Sequence, residues 1–366
     1  MKIGIMLRHL GQHGGGVLGY TNNLMRELLA LDSPHEFVLI YPDREFIGSY
    51  GNRENVREVV ARSRSKFLWD QVSMRQVEKQ EKLDLIFNPK YSIPLTARCK
   101  TAFVCHGLDW YVMPWGSKWV DRVSHRYLIP RYAHKADAII AVSNTPRRHL
   151  TDFLNVDKEK TRTIYLGINE AFTKEISAEE KSTVQERYQL PEHFFLYVGQ
   201  IYPPKNFGRL LRAYARIGPR MGISLVVAGT HTWLCGKELA LVDELGIADW
   251  VVQPGWIEHD TLPAFYALAD ALLLPSLYEA CPSPILEAMA TGCPIVTADR
   301  HGTRELAGDA AVLVNPESVD AIADGMLRVV EDRDLRNRIT DRGKIRIKEF
   351  SWNKCARETL QVLEST

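Results

Sequence analysis

Two carboxylates, Glu279 and Glu287, bracket the stretch Glu-Ala-Cys-Pro-Ser-Pro-Ile-Leu-Glu. Glu279 closes a loop after an apolar run at Ala271–Leu274. Glu287 falls in the first turn of a helix opened by Pro284, a residue suited to helix starts. Both carboxylates then face one strand-end crevice, where they can bind hydroxyls or move protons. Two helix-terminus carboxylates favoured by the dipole would give the same spacing. Gly199-Gln200-Ile201-Tyr202-Pro203-Pro204-Lys205-Asn206 follows another strand and precedes a helix. A Lys at a helix N-terminus suits a phosphate, although on these residues alone a solvated Lys after a Pro-rich turn is the plainer reading. Cys105-His106-Gly107 places a His directly after a buried strand. Lone histidines are mostly structural, yet this is the sheet end where open α/β proteins bind ligands.

Gly14-Gly15-Gly16-Val17-Leu18-Gly19 fits G-x-G-x-x-G between a strand and a helix. In a dinucleotide fingerprint the glycines come straight after the strand, with an acidic residue about 20 positions on. Here Arg8–His13 intervene, and Asp43 lies too far beyond Gly19. The loop is therefore read as one that approaches a substrate and not as an NAD site. Asp332-Arg333-Asp334 matches Asp-x-Asp, which can hold a metal on a sugar-nucleotide, but between two helices it reads as a solvated cap. No Gly-x-Ser-x-Gly elbow, His-Glu-x-x-His or Walker loop occurs.

These loops need a frame. Ile3–Leu7, Phe37–Tyr41, Asp84–Phe87, Thr101–Cys105, Ala138–Val142 and Arg162–Tyr165 read as buried strands, because continuous apolar runs suit parallel sheets. Helical patterns at Leu18–Leu31, Val120–Ala136 and Thr145–Leu154 lie between them. The alternation restarts with strands at Phe194–Val198, Ser224–Ala228, Trp250–Gln253, Ala271–Leu274, Pro294–Thr297 and Ala311–Val314. Helices near 206–217, 236–245, 260–269, 284–291 and 318–331 separate these. Two such sets imply two doubly wound α/β domains, with the site in a cleft between them. The boundary is expected in the polar stretch 167–192, giving domains over 1–172 and 173–350.

A length of 366 residues suits two domains. The net charge of +1 argues against a nucleic-acid partner bound through bulk positive charge. It hides an asymmetry: residues 1–172 hold 25 Lys/Arg and 18 Asp/Glu, and the remainder 21 and 27. An anionic partner for the first half follows. Six scattered cysteines without a Cys-x-x-Cys pair, no secretory h-region and no long apolar run imply a reduced, cytoplasmic protein.

The stretch Tyr197-Val-Gly-Gln-Ile-Tyr-Pro-Pro-Lys-Asn-Phe-Gly-Arg-Leu-Leu-Arg-Ala-Tyr resembles the Val-Gly…Pro-Arg-Lys-Asn…Leu-x-x-Ala-Phe signature of retaining glycosyltransferase family 4. Pro275 to Val296 resembles the same family's Glu-x7-Glu block, and Ala136–Ser143, Glu305–Ala311 and Phe350-Ser351-Trp352 support it.

The resemblance implies a GT-B architecture: two Rossmann-like domains, a nucleotide-sugar on the second and the acceptor on the first. It also implies a C-terminal helix, 351–366, crossing back to the first domain. Carried over residue by residue, Lys205 neutralises the donor diphosphate and Glu287 binds the ribose hydroxyls. Glu279 binds the transferred sugar, with backbone N–H groups from Ala280, Cys281 and Ser283. His106 contacts the sugar near the reacting centre, and Gly15, Gly16 and Gly199 let backbone approach the donor. His106, Lys205 and Glu279 are the implied catalytic residues.

Departures are Gln200 and Pro204 where many relatives have Arg, Cys281-Pro282 where Phe-Gly is common, and His106-Gly107 where His-Asp is usual. A missing charge on the diphosphate would come from Arg8 or Arg209. The implied reaction is a metal-independent, retaining hexosyl transfer without cofactor. It leans to GDP-mannose, with UDP-glucose next, onto a glycan or lipid-linked acceptor in cell-surface polysaccharide synthesis. A second implied partner is an anionic membrane surface, held weakly through the basic stretch Arg53–Lys82. The competing readings are a silent sugar-nucleotide or glycan-binding subunit and a dinucleotide oxidoreductase.

Overall fold

Continuous apolar runs become strands buried on both faces, and within each unit they place their loops at one sheet edge. The computed structural model describes residues 1–11, 15–116, 119–229 and 236–366. Gly14 of the glycine loop and Cys235 lie outside the described residues. The chain forms two units, one of Met1–Gly167 with Ser351–Thr366 and one of Ile168–Phe350.

In the first unit the described strands are β1 (Lys2–Met6), β2 (Glu36–Tyr41), β3 (Val56–Val60), β4 (Leu85–Asn88), β5 (Lys100–Cys105), β6 (Ala138–Ala141) and β7 (Thr161–Thr163). They form a parallel sheet in the order β3-β2-β1-β4-β5-β6-β7. The order reverses between β1 and β4, the switch point where open sheets bind ligands. Helices Gly16–Leu28, Met74–Glu81, Trp119–Lys135 and Asn144–Leu154 make the crossovers. The C-terminal helix Trp352–Glu364 packs on Gly16–Leu28, with the Trp352 and Tyr20 rings 5.6 Å apart and edge-on. Asn353 Nδ2 donates to Glu27 Oε2 at 3.2 Å.

The second unit holds β8 (Phe194–Val198), β9 (Ser224–Ala228), β10 (Val251–Gly255), β11 (Ala271–Leu274), β12 (Ile295–Ala298) and β13 (Val312–Val314). Its parallel order is β10-β9-β8-β11-β12-β13, reversing between β8 and β11. Phe195, Tyr197, Leu210, Tyr214, Leu225 and Met326 centre its core. Full burial of a side chain of this kind contributes about 1.5–3 kcal/mol.

Two expectations shift. The strand β3 is absent from the sequence reading because it is a half-exposed edge strand in which Arg57 and Glu58 interrupt the valines. The first unit ends at Gly167, and not at 172, because Phe172 packs in the second unit against His259 and Tyr266 at 5.0 and 5.9 Å. Within 167–192 lies the helix Ala178–Tyr188, started by a Ser177/Glu180 capping box. Asp332 caps the helix Arg333–Arg346 by accepting from Leu335 N at 2.8 Å.

Candidate active site

The loop after β8 starts at Gly199, whose φ is +131°. A short 3-10 turn, Pro203–Lys205, follows and ends at Asn206 in the left-handed region. Asn206 Nδ2 donates to Pro275 O at 2.9 Å and Pro316 O at 2.6 Å, and Leu277 N donates to Pro204 O at 2.7 Å. The loops that follow β8, β11 and β13 are thereby tied together, which fixes the backbone carrying Lys205.

That backbone aims the Lys205 ammonium at Glu279. Lys205 Nζ lies 2.6 Å from Glu279 Oε1, and Ser276 Oγ donates to the same oxygen at 2.8 Å. Both charged residues are only 9% exposed. A buried pair of this kind returns its desolvation cost only through close geometry and further hydrogen bonds, and Ser276 supplies one. An ammonium carries three N–H donors, so Glu279 leaves Lys205 able to meet a second anion. The Tyr202 ring lies 5.9 Å from Nζ.

Glu287 is buried in the helix Ser283–Thr291. Tyr266 Oη donates to Glu287 Oε2 at 2.7 Å. Burial pushes the Glu287 carboxyl above the usual range, against the opposing pull of Tyr266, His259, Ser283 and Lys205. Burial and the neighbouring carboxylate also raise the Tyr266 hydroxyl well above its ordinary value. Glu287 is therefore a held acceptor for hydroxyl donors.

Between the carboxylates the chain turns through buried Ala280 and partly exposed Cys281 to exposed Ser283. Gly302 N donates to Glu279 O at 2.9 Å, and a Cβ on Gly302 would overlap the Ala280 carbonyl. Only glycine permits that approach, so Gly302 sets the Glu279–Ala280 backbone. His301 beside it takes φ +48°, a conformation non-glycine residues hold only under constraint.

In the first unit His106 follows β5 at the sheet edge. His106 Nε2 donates to Pro89 O at 2.7 Å, and its ring meets Tyr20 at 4.8 Å and Tyr91 at 6.0 Å, both edge-on. Burial, aided by Lys90, pushes the imidazole down to about 4. It is neutral at pH 7, with Nδ1 as its acceptor. Gly107 has φ +134°, a backbone conformation that suits glycine. Gly15, with φ +103°, caps the helix that begins at Gly16, and both face open space.

The structure thus brings Lys205, Glu279, Ala280, Cys281, Ser283, Glu287 and Gly199 to one sheet edge of the second unit. His106, Gly15 and Gly16 belong to the first. Arg209 is committed to Asn206 Oδ1 at 3.0 Å and Arg8 to Asp70 Oδ1 at 3.1 Å. Sequence reasoning missed the partners Ser276 and Tyr266, the stitching role of Asn206 and the contact of Gly302. The chain offered signals only for Asn206 and Gly302, each in a segment that follows a strand.

Residues 14–172 match a family model described as Glycosyltransferase Family 4, and residues 179–346 one described as Glycosyl transferases group 1. Among curated proteins, the O-antigen chain mannosyltransferase B of Escherichia coli is 32% identical over 62% of this chain and 60% of its own. The MMP alpha-(1->4)-mannosyltransferase of Mycolicibacterium hassiacum is 31% identical over 70% of this chain and 60% of its own. The chain therefore spans about three fifths of the length of these relatives. Sucrose-phosphate synthase from Thermosynechococcus elongatus has the same fold, with a TM-score of 0.78 at 20% identity over 100% of this chain and 98% of that one. Anabaena HepE, solved with UDP and glucose, superposes with a TM-score of 0.77 at 17% identity over 100% of both chains.

Proposed function

Because the chain belongs to the family 4, group 1 glycosyltransferases, we propose that it moves a hexose from a nucleotide-sugar to a glycan or lipid-linked acceptor in cell-surface polysaccharide synthesis. The observation that carries this reading is the buried Lys205–Glu279–Ser276 cluster at the switch-point edge of the second sheet. A nucleoside diphosphate is a good leaving group once its developing charge is stabilised in a dry site. Lys205 supplies that charge, held in place by Glu279. Glu279 also accepts from the hydroxyls of the transferred sugar, and Glu287 from those of the ribose. The backbone N–H groups of Ala280, Cys281 and Ser283 serve the donor. His106 is assigned to the sugar, and Gly15 and Gly16 to its phosphates.

The reaction is proposed to retain anomeric configuration. The acceptor oxygen attacks the face from which the diphosphate departs, the C1–O bond to phosphate breaks, and the departing phosphate takes the acceptor's proton. Glu279, tied to Lys205, is then a ligand and not a covalent nucleophile. Lys205 performs the role a metal plays elsewhere. The donor proposed first is GDP-mannose, supported by mannosyltransferases among the relatives, and UDP-glucose is second. A thermal-shift panel of nucleotide-sugars tests this, since a ligand at about 100 times its Kd stabilises by about 2.7 kcal/mol.

The protein is further proposed to work at an anionic, cytoplasm-facing membrane surface. Among the described residues no helix is long and apolar enough to cross a membrane. Phe67, Leu68 and Val72 are exposed at 52%, 44% and 48%, beside exposed Arg62, Arg64 and Lys66. Trp69 in the same segment is buried and donates through Nε1 to Ala61 O, so it belongs to the core.

A further inference from the structure

The chain leaves the first unit at Gly167 and returns to it at Ser351. Ser351 caps the last helix by accepting from Lys354 N at 3.4 Å, so Trp352 takes the first helical position. A Cβ on Gly167 would overlap Trp352 N, Trp352 Cγ and Ser351 C, so only glycine admits this approach. The Gly167 backbone thereby fixes where Trp352 stands. The Trp352 ring meets Tyr20, with centroids 5.6 Å apart and planes at 68°. Tyr20 is buried and lies one turn into the helix Gly16–Leu28. Its ring also meets His106, at 4.8 Å and 87°. Trp352, Tyr20 and His106 are thus a continuous row of rings within the first unit.

The row bears on how His106 is held. The hydrogen bond from Nε2 to Pro89 O fixes one point of the imidazole. Its plane is set by the rings beside it, Tyr20 at 4.8 Å and Tyr91 at 6.0 Å, both edge-on. An edge-to-face contact sets angle as well as distance, because the positive rim of one ring meets the negative face of another. Tyr91 is backed by buried Trp110, edge-on at 5.4 Å, from the segment that follows β5. Tyr20 is backed by Trp352, from the far end of the chain. Displacing the Trp352 ring therefore loosens one wall of the imidazole and leaves Pro89, Tyr91 and Trp110 in place. The acceptor nitrogen Nδ1 turns with the ring.

We propose that Tyr20 and Trp352 are positioning residues for His106, so that the place where the chain re-enters the first unit sets the plane of the imidazole. The proposal rests on the glycosyltransferase reading for what His106 does to the sugar, and on the first unit alone for how His106 is held. It gives the last helix a part in the chemistry, beyond covering the helix Gly16–Leu28.

Histidine-selective nitrogen-15 labelling of the full chain reads the imidazole nitrogens, and the signals lost in His106→Gln are those of His106. The unsubstituted protein is expected to show the Nε2–H tautomer. Trp352→Leu should move the two nitrogen signals toward their average as the ring loosens from Pro89, and Trp352→Phe should restore them. If Trp352→Leu does not fold, Trp352→Met takes its place. The second readout is GDP release from GDP-mannose and UDP release from UDP-glucose. With whichever donor turns over, Trp352→Leu should lower kcat about tenfold or more with KM within about twofold, because misplacing a group at the reacting centre acts on the transition state. Trp352→Phe should recover most of that loss. Asn353→Ala removes the neighbouring contact of the same helix to Glu27 and should leave both readouts unchanged. His106 signals unmoved in Trp352→Leu overturn the row. Moved signals with unchanged kcat overturn its part in the chemistry, and equal losses in Asn353→Ala reduce it to helix docking and overturn it too. No release from either donor by the unsubstituted protein counts against the glycosyltransferase reading, and the nitrogen signals then decide the positioning on their own.

Discussion

Lys205 Nζ and Glu279 Oε1, 74 positions apart in the chain, lie 2.6 Å from each other in a site that is nearly closed to water. The pair ties the first loop of the second sheet to the loop after β11, so position and charge are set together. Removing one member leaves the other buried and unpaired, which typically costs about 3–5 kcal/mol. Lys205→Ala and Glu279→Ala should each lower unfolding free energy on that scale in urea titrations. The double variant Lys205→Met with Glu279→Leu should recover most of it while staying inactive. Full activity in the double variant would separate the pair from the chemistry.

Glu287 allows a test of sign. Its carboxyl is raised above the ordinary value by burial, so the native state favours the protonated form. The stability it contributes is fully present below about pH 4.5, the ordinary glutamate value, and is lost as pH rises through the raised value. Glu287→Gln should therefore be more favourable to stability at pH 8 than at pH 4, while donor binding weakens at both. Urea midpoints at the two pH values check the first part and thermal shift with nucleotide-sugar the second. Tyr266→Phe should cost about 1–3 kcal/mol, because it removes the donor to a buried carboxylate.

The buried histidines work in the opposite direction. His9 is held down to about 3 and His106 to about 4, so the stability they confer is present above about pH 6.5 and is lost as pH falls toward those values. Each unit of displacement corresponds to about 1.4 kcal/mol. His9→Gln, which can still donate to Thr21, should flatten the acid limb of the stability curve between pH 6.5 and 4. An unchanged acid limb would mean that other groups control it.

Much of the architecture was legible because fully buried parallel strands are written as apolar runs, as at Phe37–Tyr41 and Phe194–Val198. β3 was not, since an edge strand alternates with charges and carries little of that signal. At the site, position near strand ends singled out Lys205, Glu279 and Glu287 as candidates. On position alone a solvated Lys and two helix-terminus carboxylates read as well, and their roles came from the family resemblance. The partners Tyr266 and Ser276 were not singled out, because a hydroxyl's hydrogen bond to a carboxylate elsewhere in the chain leaves no periodic trace. The return of the last helix to the first unit came only from family resemblance. Tyr20 and Trp352 make that contact, and neither has a local pattern announcing it.

Membrane docking is testable through charge and apolar residues separately. Each Lys or Arg near an anionic surface is worth about 1 kcal/mol, so Arg62, Arg64 and Lys66 predict weak, salt-sensitive binding. Phosphatidylglycerol vesicles should co-sediment the protein at low salt, and phosphatidylcholine vesicles should not. Phe67→Ser with Leu68→Ser should reduce the bound fraction without lowering thermal stability, because both side chains are exposed. Binding indifferent to lipid charge would mean that the protein does not dock on an anionic membrane.

If the Lys205–Glu279 edge binds a nucleotide-sugar and expels its diphosphate, the protein releases nucleoside diphosphate from its donor. The direct measurement is nucleoside diphosphate release from GDP-mannose and UDP-glucose, with excess EDTA present, by the unsubstituted protein and by Lys205→Ala. Release should survive EDTA, be highest with GDP-mannose, and fall at least about tenfold in Lys205→Ala, the scale of one charge-assisted bond. Release that needs added Mg²⁺ or Mn²⁺, or that proceeds at the same rate in Lys205→Ala, would contradict that chemistry.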